Sequence, residues 1–151
     1  MKNENDVKGI SQENHKALGI ALYNYVWTFL EMTERTDAEN ETMVNATHAS
    51  RYHWGKVGTP REFSIGEWQI SRVYSVLGWA EPALFHGRRA LRYCEANGLG
   101  DFMLAYSYEA IARAAAVGND AALYRATMRI ANSAVEGIAE EDDRAMFVQD
   151  L

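Results

Sequence analysis

Apolar residues along this chain recur three and four positions apart, and short polar turns interrupt the recurrence at intervals of about twenty residues. A stripe of that period is what an α-helix buries against a neighbour, because side chains one turn apart share a face. Residues 1–10 read as a loose, flexible polar arm. Ser11 is placed to cap a first helix reaching to about Glu34, with Leu18, Leu22, Tyr25, Val26 and Phe29 on its core side. Thr36-Asp37-Ala38-Glu39 is a capping box that opens a second helix, running to about Lys56 with Gly58 as a left-handed stop. Thr59-Pro60-Arg61-Glu62 is another capping box, with proline where the missing N–H is not needed. It opens a third helix over 60–77 that ends at Gly78.

Pro82 marks the start of a fourth helix ending near Asn97-Gly98, and Asp101 caps a fifth that ends at Gly118. Asn119 or Asp120 starts a sixth, to about Ile138, and Glu140–Leu151 forms a short acidic seventh. The linkers are short and none is rich in glycine and serine, so residues 11–151 are expected to be one domain of stacked antiparallel helix pairs.

Composition narrows this without changing it. With 48% apolar and 24% charged residues the chain has the balance of a folded soluble domain, and its length suffices for a core without staples. Two prolines and no alternating Val/Ile/Thr runs argue for an all-α protein. A net charge of −6 would repel a phosphate backbone, so nucleic-acid binding is not expected. No apolar run suits a membrane span or a signal peptide, and the lone Cys94 reads as a core thiol in a reducing compartment. A cytoplasmic location is expected.

In residues 64–97 small and large side chains alternate as two touching helices require: Ile70-Ser71, Tyr74 and Leu77-Gly78, then Ala83, Gly87 and Ala90-Leu91. This pattern resembles the tetratricopeptide repeat (TPR), although the early tryptophan is displaced by one residue to Trp68 and the closing proline is absent. Residues 100–137 resemble a degenerate second repeat, with Ile111-Ala112, Ala115, Gly118 and Ala122 at similar places. The resemblance implies a TPR-like stack of antiparallel helix hairpins, about seven helices in a right-handed α–α superhelix. A plain helical bundle is the alternative. The resemblance also implies a groove lined by the first helix of each pair, which in that family receives a peptide or partner helix. Its candidates here are Trp68, Gln69, Arg72 and Ser75, joined by Tyr108, Glu109 and Arg113. Two arginines would suit an acidic peptide or a small carboxylate ligand.

The least expected chemistry lies before and within that repeat. His48, Arg51, Tyr52, His53 and Trp54 crowd the end of the second helix, and Glu67, Trp68, Gln69 and Arg72 stand on the third. One reading is a satisfied inter-helix network, with Glu67 paired to Arg51 or Arg72. A second is a ligand site anchored by Trp68 and Arg72, with His48 or His53 nearby. A third is an enzyme, hydrolytic and metal-assisted, using His48, His53, Glu67 and Arg72. Metal-ligand spacing is poor, since histidines five apart point about 140° from each other around a helix. No catalytic or cofactor-binding motif is present, so no cofactor is expected and a binding module is favoured over an enzyme. Tyr25, Trp27, Phe29, Phe147 and Leu151 near the two ends suggest apolar flanks through which a homodimer could form.

Overall fold

A computed structural model describes residues 6–100 and 102–136 of the 151. Those residues form six α-helices: α1 (Gln12–Leu30), α2 (Asp37–Val57), α3 (Pro60–Val76), α4 (Ala80–Ala96), α5 (Phe102–Val117) and α6 (Ala121–Glu136). The described residues contain no strand. None of these helices is long and apolar enough to cross a membrane. The expected seventh helix, the Asp101 cap and residues 1–5 lie outside the described residues.

Local chemistry places most of the helix ends. The Asn14 amide donates to Ser11 Oγ at 3.0 Å, and Thr36 and Glu39 exchange the reciprocal bonds of a capping box. Glu62 reaches back to the Thr59 amide at 2.9 Å, and Asp120 Oδ1 accepts from the Leu123 amide at 3.0 Å. Gly78 closes α3 at φ +78° and Gly98 follows α4 at φ +63°, left-handed conformations that cost a glycine nothing.

Other ends differ from the sequence expectation. α1 stops at Leu30 rather than near Glu34, because Arg35 turns back and Nη1 donates to the Phe29 and Met32 carbonyls. Gly58 is extended, at φ −88° and ψ −176°, and leads straight into the cap of α3. α4 begins at Ala80, with Pro82 inside its first turn, where no helical N–H is required. α5 does end beside Gly118 as expected, and the left-handed residue that follows is Asn119. Asp6 pairs with Lys56 Nζ at 2.6 Å, so at least this residue of the arm touches the end of α2.

Consecutive helices pack as pairs, α1 with α2, α3 with α4 and α5 with α6. The third helix also meets α1, α2 and α5, so it is the centre of the described fold. Val26, Phe29, Met43, Ala46 and Val73 form one apolar cluster, and Ala105, Ala131 and Val135 another. Between them the helices approach on small side chains. Ala83 and Ala90 are fully buried, Ser71 Oγ donates to the Ala83 carbonyl at 2.7 Å, and Ser64 Oγ donates to the Ala90 carbonyl at 2.9 Å. Within α1 the buried stripe is His15, Gly19, Val26 and Phe29, while Leu18 and Tyr25 are exposed. Gly19 is the reason. A Cβ there would lie 2.9 Å from Trp54 Cδ1, and the Gly19 carbonyl accepts from Ser50 Oγ at 2.8 Å, so the bare backbone is the contact surface.

Candidate functional site

The start of α3 presents two chemically different faces. Toward α1 and α5 lie Arg61, Ile65 and Trp68, which with Tyr23, Trp27, Phe102 and Tyr106 enclose a cavity of about 280 Å³. Trp27 and Trp68 tilt against each other with ring centroids 5.9 Å apart, and Tyr106 meets Trp68 edge-on at 5.4 Å. One turn beyond Trp68, the Arg72 guanidinium lies 5.3 Å from the Trp27 ring and 5.8 Å from the Trp68 ring, within cation–π range of both.

Behind this wall Glu109 of α5 is buried and bonded to Arg113, one turn along the same helix. Burial raises the pKa of its carboxyl above the ordinary value, and Arg113, Arg72 and the Trp68 indole offset only part of that rise. Trp68 Nε1 and Glu109 Oε2 are both buried without a hydrogen bond of good geometry. The indole favours the charged carboxylate, although no hydrogen bond joins the two atoms. Ser64 and Ser107 on the cavity floor both give their protons to backbone carbonyls, so the buried Cys94 thiol between them is a donor to one of them, at 3.3 or 3.4 Å.

Glu67 projects toward α2 and α4. Its Oε1 accepts from Arg51 Nε and Arg89 Nε, each at 3.2 Å, and its Oε2 accepts from His86 Nδ1 at 2.6 Å. Burial alone would raise this carboxyl; the His86 bond, the His86 charge and the two guanidinium charges overrule it and hold the pKa below the ordinary carboxylate value. Arg51 lies 4.6 Å from the Phe63 ring and donates to Tyr93 Oη at 3.0 Å. His48 shares a 2.8 Å hydrogen bond with Tyr74 Oη and stands with its ring 5.4 Å from that of His86. Burial first, and the neighbouring His86 second, lower the His48 pKa, so its neutral form is favoured.

These placements sort the sequence candidates. Trp68, Arg72 and Arg113 gather around Glu109 on the α1/α5 side. His48 and Glu67 belong to the network on the α2/α4 side. His53 is apart from both, its Nδ1 2.9 Å from His15 Nδ1 at the start of α1, so the four-residue cluster of the enzyme reading is not one constellation. Gln69 is 1% exposed with both ends engaged: Thr47 Oγ1 donates to it at 2.9 Å and it donates to the Tyr23 carbonyl at 3.0 Å. It braces α3 against α1 and α2. Ser75 is buried, and Tyr108 packs on the α5/α6 cluster with its pKa raised by burial and by Glu95. Glu67 pairs with Arg51, as one reading expected, but its other partners are His86 and Arg89. Sequence reasoning did not place those two, although a buried carboxylate beside RR and H on the next helix was a usable signal. It also left Trp27 as an end residue, whereas the ring packs on Trp68.

No protein-family model, curated protein or solved structure matches this chain. The geometry therefore carries the functional argument alone. Among the described residues no three His, Cys, Asp or Glu side chains are grouped as metal ligands.

Proposed function

We propose that this chain is a small TPR-like interaction module whose α1/α3/α5 pocket takes an apolar or aromatic group bearing a carboxylate, from a peptide, a protein partner or a small acid. The observation that carries the reading is the aromatic cavity of about 280 Å³ bordered by Arg61, with Arg72 stacked on two of its walls. That volume is near the lower end for small-molecule sites, so it suits one side chain or a small acid. Aromatic walls supply contact area and the guanidinium groups supply charge-assisted hydrogen bonds. The TPR-like arrangement is supported by the three helix pairs and by the contacts of α3 with both α1 and α5, which bring the first helix of each pair to a common face. A cytoplasmic setting belongs to the same reading, which the single buried thiol of Cys94 supports.

Calorimetric titration with N-acetyl-phenylalanine and with its neutral amide tests the proposal. The acid should bind and the amide should bind about tenfold more weakly, the factor that corresponds to roughly 1.4 kcal/mol. Equal affinity would remove the arginines from the account, and absence of binding by either would remove the pocket.

A further inference from the structure

We propose that His15 and His53 form a two-histidine site for a divalent first-row transition ion, which clips the start of α1 to the end of α2. The observation that carries it is the approach of the two rings. Their Nδ1 atoms, from residues 38 positions apart in sequence, lie 2.9 Å from each other. Between neutral imidazoles such a contact holds one shared proton, because one Nδ1 must donate and the other accept. Imidazole nitrogens bind these ions at about 2.0–2.1 Å, so two on one ion stand about 2.9 Å apart at a right angle and about 3.3 Å apart at a tetrahedral angle. An ion therefore takes the place of that proton with the separation opening by at most about 0.4 Å.

The surroundings suit the exchange. His15 is 5% exposed and fixed in the first turn of α1, where its amide donates to the Ser11 carbonyl at 2.9 Å. His53 is only half-buried and gives an ion a way in. Tyr52 flanks the pair edge-on, its ring centroid 5.4 Å from that of His53 and 6.3 Å from that of His15. The cation one turn beyond His53, Lys56, is matched by Asp6 at 2.6 Å. Imidazole selects zinc, copper and nickel, whereas magnesium and calcium ask for oxygen ligands. Two protein ligands leave the other positions to water, which makes this a site for an exchangeable ion rather than a closed structural one. Because the two histidines meet only when α1 and α2 are packed, an ion held by both stabilises the folded chain.

The test is calorimetric titration of the full chain at pH 7 with nickel chloride and with magnesium chloride, read beside urea unfolding in each salt. Nickel should bind one ion per chain and raise the urea midpoint, and magnesium should do neither. His53→Ala should weaken nickel binding at least about tenfold and abolish the midpoint shift. His53→Gln is the second variant, since its amide keeps a hydrogen-bonding partner for His15 but is a poor ligand for nickel, and it should lose the response in the same way. Each variant is compared with itself in the absence of metal, so a change in basal stability does not enter. His48→Gln, which lies outside the pair, should keep the response of the parent. A parent that neither binds nickel nor gains stability from it would leave two histidines sharing a proton and overturn the site. A nickel response in either His53 variant equal to that of the parent would put the ion elsewhere and overturn it as well.

Discussion

At the scale of single residues, the most consequential side chain is Glu67, which one helix buries and which two guanidinium groups and the His86 imidazole surround. Removing its charge leaves Arg51 and Arg89 half-buried without a counter-ion, so Glu67→Gln should cost about 3–5 kcal/mol in urea unfolding. A loss below about 1 kcal/mol would mean the network contributes little. The sequence made an Arg51–Glu67 pair legible because a carboxylate amid apolar positions demands a countercharge. It did not make His86 legible, since which histidine arrives depends on how α4 is rotated about its axis. His48 sets an acid dependence. Its folded pKa is lowered, so as pH falls through the unfolded value of about 6.5 the unfolded chain takes up a proton first, and stability is lost down through the folded pKa. His53, depressed by burial and by His15, acts in the same sense, whereas the raised carboxyl of Glu109 gains stability as pH falls. Comparing parent with His48→Gln cancels those other groups. The fall in urea midpoint between pH 7 and pH 5 should be smaller in the variant, and an identical fall would remove His48 from the account.

At the scale of helices, capping chemistry was readable because it is local: Ser11, Thr36, Thr59 and Asp120 each bond within three residues of themselves. Helix faces were less so. Leu18 was expected inside and lies 40% exposed, while Gly19 beside it is buried against Trp54. Hydrophobicity marks the stripe only where packing uses large side chains, and here backbone contact takes that place. The α3/α4 crossing has the same character, and there the alternation of small and large residues did mark the buried positions. Ala90→Leu should overpack this crossing and cost about 1–3 kcal/mol. Gly19→Ala should also destabilise, since its Cβ would need the Trp54 ring to move, while Gly87→Ala meets Ser71 Oγ at 3.3 Å and should cost less. Denaturant midpoints for the three variants check the order, and a neutral Ala90→Leu would mean that α4 is packed in another register.

At the scale of the molecule, the all-α class followed from periodicity, whereas the pocket did not. Its walls come from α1, α3 and α5, elements far apart in sequence, and only Trp68 with its neighbour Arg72 was marked beforehand, as residues too large and polar for a plain hairpin. Phe29 proves to be in the core and Trp27 to pack on Trp68, so of the three aromatics expected to flank α1 only Tyr25 is exposed. The central claim is that α3 carries two separable jobs, structure through Glu67 and binding through Trp68 and Arg72. Because Glu67 is held by Arg51, Arg89 and His86, loss of Arg72 does not strand it. The most direct measurement is the affinity of Arg72→Ala for N-acetyl-phenylalanine, read beside its unfolding free energy. The account predicts binding weakened by about 2 kcal/mol or more, roughly thirtyfold, with stability lowered by no more than about 1 kcal/mol, the scale of a cation–π contact. Unchanged affinity, or a stability loss of about 3–5 kcal/mol such as a broken buried ion pair causes, would contradict it.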